Sequence, residues 1–520
     1  MSSQFQKKYE TLLTRVKELT ILQSATAIVQ WDMETKMPPR GLNLRSQQLA
    51  LLGLMGHKMI TDPQTGKLLE DIEKAPEFNG LTLPHKRNVH LVRKAFDEAT
   101  KLPEDLVFET AKQQTIGVGV WKKAKAAKDY NMFKPELKKM IELRQRAADI
   151  LMKVKGVKTP YDALIDGFEP NMTAEMITAV FDEMRVGLIG VLKKVNNSGV
   201  EPDTSILSRL VPIETQRRIS DAAMEFIGYD TKSDNAGGRL DETEHPFTNG
   251  YYDDVRITTH YHEDRWVSSL YSVLHEGGHA LYEQNCPREY MYQPIGSAAS
   301  FGIHESQSRF VENMVGKSPE FLVYILPRLK KIIGNPLRGV KLWDFILAVN
   351  EVIPSKIRIE ADEVTYGLHI IIRFEMERDI FSGKLTVDDL PQVWNEKYNK
   401  YLGLEIEYDS EGVMQDIHWA NGLQGYFPSY ALGNIYGGMF LNKLKKDIPE
   451  WRKELKKGNI KPAMTWMKEN VQSKGALYDP ADLIKGITET KLTVKPFINY
   501  LEKKYGKIYR FSTIYPVSVN

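Results

Sequence analysis

Residues 266–285 read WVSSLYSVLHEGGHALYEQN, and most of what can be said about this chain starts from how that stretch is laid out. Val267, Leu270, Tyr271, Leu274, Leu281 and Tyr282 recur at helical spacing, which predicts a helix with one buried face. His275-Glu276-Gly277-Gly278-His279 sits in its middle and forms an HExxH sequence. Residues four apart share a helix face, so both imidazoles can reach one ion. Zinc held this way lowers the pKa of a coordinated water toward ~7, and Glu276 stands beside it to take the proton. The bland alternative is a helix with two surface histidines. Its apolar neighbours oppose that, because buried polar groups without partners are costly. Gly277 and Gly278 also cost a helix interior about 1 kcal/mol each. They predict that another backbone, such as a substrate strand, approaches closely there.

A catalytic zinc takes three protein ligands and one open position. Glu305, within His304-Glu305-Ser306-Gln307, suits a second helix packed on the first. By spacing alone Glu312 competes with it. Cys286 is a further option, although a lone thiol is more often a small buried apolar residue.

The surrounding chain is 520 residues long, 42% hydrophobic and 27% charged, which excludes a disordered or fibrous protein. Length alone suggests about three or four domains of ~150 residues, though one large helical body is also allowed. Lys plus Arg is 70 and Asp plus Glu is 68, a net +2, giving no reason to expect a nucleic-acid or membrane-surface partner. The single cysteine forbids an intrachain disulfide and suits the reducing cytoplasm. It also leaves a metal site to His and carboxylate. Apolar runs such as Leu368 to Ile372 fall far short of the ~20 residues that span a bilayer. The opening MSSQFQKKYETLLTRVKELT is too charged for a signal-peptide core.

Before about residue 240 the chain reads as helix after helix. Tyr9, Leu12, Leu13, Val16 and Leu19 have helical spacing, and Pro38-Pro39-Arg40-Gly41 breaks the pattern. Further helices are predicted over 45–59, 84–100, 103–113 and 135–155, the last stopping at Gly156. Thr173 is expected to cap a helix that carries Ile177, Phe181, Met184 and Leu188 on one face. This half carries no chemical motif and reads as a scaffold shaping a cleft. Residues 229–250, rich in Gly, Asp, Asn and Thr, read as loop. Residues 254–261 alternate polar and apolar, as a half-buried strand does. The overall expectation is a mostly α fold with one small β-sheet.

Other polar residues are open to two readings. Arg358 and Asp362, four apart on a predicted helical stretch, fit a surface ion pair or an arginine held ready for a carboxylate. His418 beside Trp419 fits a satisfied core residue or, with Tyr426 or Tyr430, a donor to an oxyanion. His245 reads as a core residue by the same argument. Asp254, Arg256 and Thr258 share one strand face and read as a brace for it.

Six motifs in this order resemble one family, the thermostable metallocarboxypeptidases typified by carboxypeptidase Taq. They are HPF at His245–Phe247, DxRxT at Asp254–Thr258, HExxH at His275–His279, HESQ at His304–Gln307, IRxxAD at Ile357–Asp362 and GxxQDxHW at Gly412–Trp419. The resemblance implies a neurolysin-like fold in which two helical lobes flank a deep active-site groove. The whole of 1–520 would then be one catalytic domain: helices of about 1–240 shaping the cleft, a motif-bearing part of about 241–440, and C-terminal helices 441–520. It makes Glu305 the third metal ligand and Arg358 the residue that holds a substrate's terminal carboxylate. His418 and one of Tyr426 or Tyr430 become oxyanion donors, and His245 and Arg256 candidate substrate-binding residues. It further implies a homodimer, zinc with cobalt able to substitute, and broad-specificity removal of single residues from peptide C-termini. The rivals are a zinc oligopeptidase cutting internal bonds, which needs no carboxylate anchor, and a non-catalytic helical metal-binding protein.

Overall fold

A computed structural model describes residues 3–511. Among them are twenty α-helices and one three-stranded sheet. The expected mostly helical fold with a single small sheet therefore holds.

Two hydrophobic cores are present, beside a three-residue cluster of Leu106, Leu143 and Ala147. A small one gathers Phe5, Tyr9, Leu12, Leu69, Ile72 and Val89 from the first helices. The large one runs from Ala124 to Tyr509 and includes the buried faces of nearly every later element. The opening helix, Ser3–Thr35, packs on Leu42–Ile60 across the Pro39–Gly41 turn where the sequence broke. Thr173 caps Ala174–Asn196 as expected, its hydroxyl accepting from Met176 N at 3.2 Å.

Some boundaries differ. The helix expected over 103–113 is Glu104–Ala127. Its continuation is rich in Lys, Ala and Gly, and is held by packing on Tyr130–Lys155. That second helix starts at Tyr130 rather than at Pro135, because Asp129 caps it through Asn131 N at 2.9 Å.

The stretch 229–250 is not all loop. It holds β1 (Gly238–Glu242) and β2 (Thr248–Tyr251), which flank β3 (Asp254–Thr259) in the order β1-β3-β2. β1 runs parallel to β3, with Leu240 opposite Ile257. β2 runs antiparallel to it, with Thr248 opposite Ile257. Gly, Asp and Asn have poor strand propensity, so these two strands owe their form to pairing with β3 and not to local preference.

Arg358 and Asp362 do not share a helix. Arg358 begins a single 3₁₀ turn, Arg358–Glu360. Asp362 instead accepts from Val364 N at 2.8 Å and Thr365 N at 3.0 Å, an Asx turn that starts helix Tyr366–Phe381. The surface ion pair is therefore absent.

Candidate metal and catalytic centre

The HExxH helix spans Trp266–Asn285, as the periodicity predicts. The HESQ residues lie on a second helix, Phe301–Arg309, which continues into a π-helical turn, Phe310–Val315. The two helices meet at Gly278. A Cβ added there would lie 2.7 Å from Gln307 O and Ser308 Cα. The close approach foreseen for the glycine pair is thus made by this helix, and at Gly277 by the Ile227 side chain. No substrate strand is needed to explain them. On the far side, Gly433 of helix Phe427–Asp447 faces Glu305, whose Cβ and Cγ would lie within 2.7 Å of an added Cβ. Two glycines therefore make the slot in which Glu305 sits.

The slot puts Glu305 Oε2 at 3.3 Å from His279 Nε2 and 3.6 Å from His275 Nε2. The three donor atoms all lie within 4.8 Å of one another. Bonds of ~2.0–2.2 Å to a tetrahedral ion require donors about 3.3–3.5 Å apart, so the spacing fits a divalent cation. Two imidazoles and a carboxylate are also the donor types that such an ion takes.

Each donor is held from behind. His275 Nδ1 lies 2.8 Å from Glu312 Oε2. His279 Nδ1 lies 2.5 Å from His304 Nδ1, and His304 Nε2 lies 2.7 Å from Glu283 Oε1. One tautomer set satisfies this chain: His279 donates to His304, and His304 donates to Glu283. Glu305 Oε1 accepts from Arg309 Nε at 2.7 Å, and Arg309 Nη1 reaches Glu312 Oε2 at 3.3 Å. Glu305, Arg309, Glu312 and His275 thus close a ring of contacts. Glu312, the competitor by spacing, stands behind His275 and not in the three-donor cluster. Cys286 is buried and outside it as well.

The electrostatics follow from the same contacts. Burial pushes the Glu305 carboxyl up, but Arg309 and the two imidazoles outweigh it and hold it well below the usual range. For Glu312 burial is likewise outweighed, chiefly by Arg309 and the bond to His275, leaving it at about 2. Burial, reinforced by His304, brings His279 down to about 3. Anionic carboxylate and neutral imidazole are the metal-binding forms. His275 moves the other way, because Glu305 and Glu312 together overcome its burial. Metal uptake at this cluster therefore competes with protonation of His275. Glu276 is buried and pushed up by desolvation. Its Oε2 accepts from Thr248 Oγ1 at 2.6 Å, which ties it to β2.

A second cluster surrounds Arg358, which is also buried. Its Nε donates to Asp416 Oδ1 at 2.9 Å, Nη2 lies 2.9 Å from the same oxygen, and Nη1 donates to Tyr366 Oη at 3.2 Å. An arginine has five N–H groups, so each terminal nitrogen keeps one N–H for a ligand. Asp416 is shared with Arg373, whose Nε donates to Oδ2 at 2.7 Å. The two guanidiniums overcome burial and hold the Asp416 carboxyl well down. His418 follows two residues later. Burial holds its imidazole at about 3, so it is neutral near pH 7. Its Nε2 lies 3.3 Å from Tyr430 Oη. Tyr426 packs edge-on against Tyr430 at 5.0 Å between centroids. Both tyrosines sense the Glu305 carboxylate, so the two clusters are neighbours.

His245 and Arg256 belong to neither cluster. His245 is exposed and lines a cavity of about 600 Å³ with Gln30, Glu34 and His260. Arg256 is held by Asp254 at 2.7 and 2.8 Å and lies 4.6 Å above the Trp31 ring. That geometry matches the brace reading, here between the sheet and the opening helix. Sequence reasoning missed Thr248, Arg309 and Tyr366. Arg309 had a signal, since it lies four residues after Glu305 on one helix; Thr248 and Tyr366 had none.

Comparison with known proteins agrees with this geometry. The family profile described as carboxypeptidase Taq (M32) metallopeptidase matches residues 11–505. The chain is 40% identical to thermostable carboxypeptidase 1 of Thermus thermophilus, over 96% of this chain and 99% of that one. It is 37% identical to carboxypeptidase 1 of Bacillus subtilis, over 97% and 99%. Among solved structures, the M32 carboxypeptidase from Deinococcus radiodurans R1 superposes with a TM-score of 0.92 at 34% identity, covering 97% of this chain and 100% of that one.

Proposed function

The chain belongs to the carboxypeptidase Taq (M32) family of metallopeptidases, and from that membership we propose how its own residues carry the reaction. It is a metallocarboxypeptidase, a hydrolase of peptides. The observation that carries the mechanism is the His275–His279–Glu305 cluster, its histidines half-buried and its glutamate buried, with Glu276 on the same helix as the histidines.

His275, His279 and Glu305 hold the divalent ion. When bound, the ion supplies Lewis acidity at the scissile carbonyl and to the attacking water. Glu276, oriented by Thr248, takes the proton of that water and later returns it to the leaving amine. His418 is neutral, and with Tyr430 or Tyr426 it donates to the oxyanion. The His418–Tyr430 contact of 3.3 Å supports Tyr430 as its partner. Arg358 grips the terminal carboxylate with the N–H groups it has left. Because the anchor lies one residue beyond the scissile bond, only the last residue leaves, and each cut presents a new terminus. His245 and Arg256, outside both clusters, are the candidates for substrate contacts made away from them.

Arg358→Ala tests this reading against an internal cutter. A peptide and its C-terminally amidated twin are hydrolysed by both enzymes. The wild type is expected to favour the free acid strongly. The variant should lose about 100-fold in kcat/KM on the free acid, in line with ~2–3 kcal/mol for a hydrogen bond to a charged group. It should change little on the amide. Equal hydrolysis of acid and amide by the wild type would overturn the carboxypeptidase anchor.

We propose further that the ion is zinc, with cobalt able to substitute, that the chain works in the cytoplasm, and that it pairs as a homodimer. Two nitrogens and one oxygen as donors support zinc. The lone buried thiol suits a reducing compartment. Large apolar side chains left open on helix Leu42–Ile60, among them Leu44 at 63% and Leu51 at 59% exposure, support a protein interface. No described helix is long and apolar enough to cross a membrane. The whole chain is read as one catalytic body, since residues from β2 to helix Phe427–Asp447 supply the two clusters. Metal analysis and sedimentation of the purified protein test the ion and the dimer.

A further inference from the structure

The metal cluster and the arginine cluster meet at a residue assigned to neither. Tyr366 opens helix Tyr366–Phe381 and is 5% exposed. Its hydroxyl oxygen accepts from Arg358 Nη1 at 3.2 Å. Its ring lies under the Arg309 guanidinium, 4.2 Å from the centroid. Its ring also stands nearly perpendicular to Tyr430, at 6.4 Å. Arg309 in turn holds Glu305 Oε1. No other described residue bonds to or stacks on both arginines.

The chemistry of one phenol suits both contacts. The face of the ring carries negative charge and attracts a guanidinium set above it. The oxygen lone pairs accept the N–H of a guanidinium lying in the plane of the hydroxyl. Arg309 and Arg358 are like charges brought together in a buried setting, and an aromatic ring between them separates the two while attracting each. Arg309 has no other ring beneath it. Among the described residues Arg358 has no other bond on Nη1, so the hydroxyl alone steadies that edge of the planar group, while Asp416 holds Nε and Nη2 at the other.

We propose that Tyr366 is a positioning residue with two separable parts. Its hydroxyl sets the direction in which Arg358 offers its free N–H groups to a terminal carboxylate. Its ring keeps Arg309 seated on Glu305 and so keeps the metal-binding oxygen in place. The inference rests on the reading of Arg358 as the carboxylate anchor and Glu305 as a ligand.

Two variants separate the parts. Tyr366→Phe removes the hydroxyl and keeps the ring. KM for a free-acid peptide should rise about fivefold, KM for its amide should not move, and zinc affinity by competition with a chromogenic chelator should stay within about twofold. Tyr366→Leu also removes the ring, and zinc affinity should fall about tenfold, the scale of outer-sphere changes at metal sites. If the leucine variant does not fold, Tyr366→Met, which keeps bulk without a ring and leaves Arg309 with its bonds to Glu305 and Glu312, should show the same tenfold loss. Unchanged KM in the phenylalanine variant overturns the hydroxyl role, as does an equal rise for acid and amide. Unchanged zinc affinity in the leucine or methionine variant overturns the ring role. If Arg358→Ala itself leaves the preference for the free acid intact, the anchor reading has failed and takes the hydroxyl role with it, while the ring role is still decided by zinc affinity alone.

Discussion

Replacing Glu276 by glutamine is expected to lower kcat by about 10³-fold while leaving zinc content unchanged. The reasoning is steric as well as chemical. Glutamine has the shape of glutamate and can still accept from Thr248, whose hydroxyl lies 2.6 Å from the carboxylate. The helix and the three donors therefore stay in place. What is lost is a group able to take a proton and return it, a role worth about 10²–10⁴-fold in general acid–base catalysis. Here one side chain serves both halves of the reaction, so the middle of that range, and not its foot, applies. Metal content measured beside kcat makes the result decisive: normal zinc with normal turnover would remove Glu276 from the mechanism.

Glu305→Gln should act through the metal. An amide is a weaker donor than a carboxylate, so one of three donors is largely lost. The change also strips Arg309 of its nearer counter-charge and leaves it only Glu312, at 3.3 Å, a weaker pairing that is costly for a charge out of water. Zinc affinity should fall at least about 10³-fold, more than the ~10–100-fold of changes behind the ligands, and activity at limiting zinc should vanish with it. Competition against a chelator of known affinity gives the number. A loss below tenfold would mean that Glu305 is not a ligand.

How much of this was legible in the chain depends on the distance over which each relation acts. The HExxH helix was fully legible, because i,i+4 spacing on a helix is a local fact. Arg309 was equally local, four residues after Glu305, yet unremarkable until the fold set Glu312 and Tyr366 beside it. Arg358 shows the opposite case. Its local partner by spacing was Asp362, four residues on, but its actual partner Asp416 lies 58 residues away. Nothing in the periodicity of either segment records that contact; only the motif resemblance pointed to both. The strands β1 and β2 were hidden for a related reason. Their Gly, Asp and Asn residues form strand only because β3 pairs with them. The glycine at 278 does mark a close backbone approach, but by the HESQ helix and not by a substrate, and the glycine at 277 makes room for the Ile227 side chain.

The two separate hydrophobic cores bear on how the molecule moves. The first core holds eight buried residues, whereas the second runs through almost all the rest of the chain. Stability is distributed unevenly in such a case, and the element with the smaller core opens at the lower free energy. Amides of Ser3–Thr35 and Pro63–Glu73 should therefore exchange with solvent deuterium well before those of Trp266–Asn285. Matched protection in the three helices would show one cooperative unit instead. On this view the chain breathes at its amino-terminal end while the helices carrying the metal donors stay closed. The sheet strand beside Glu276 lies on the border, since Asn249 Nδ2 of β2 reaches Ala27 O of the opening helix at 2.9 Å. Partial opening of the first core can then shift β2, which bonds Glu276 through Thr248, without disturbing the three metal donors.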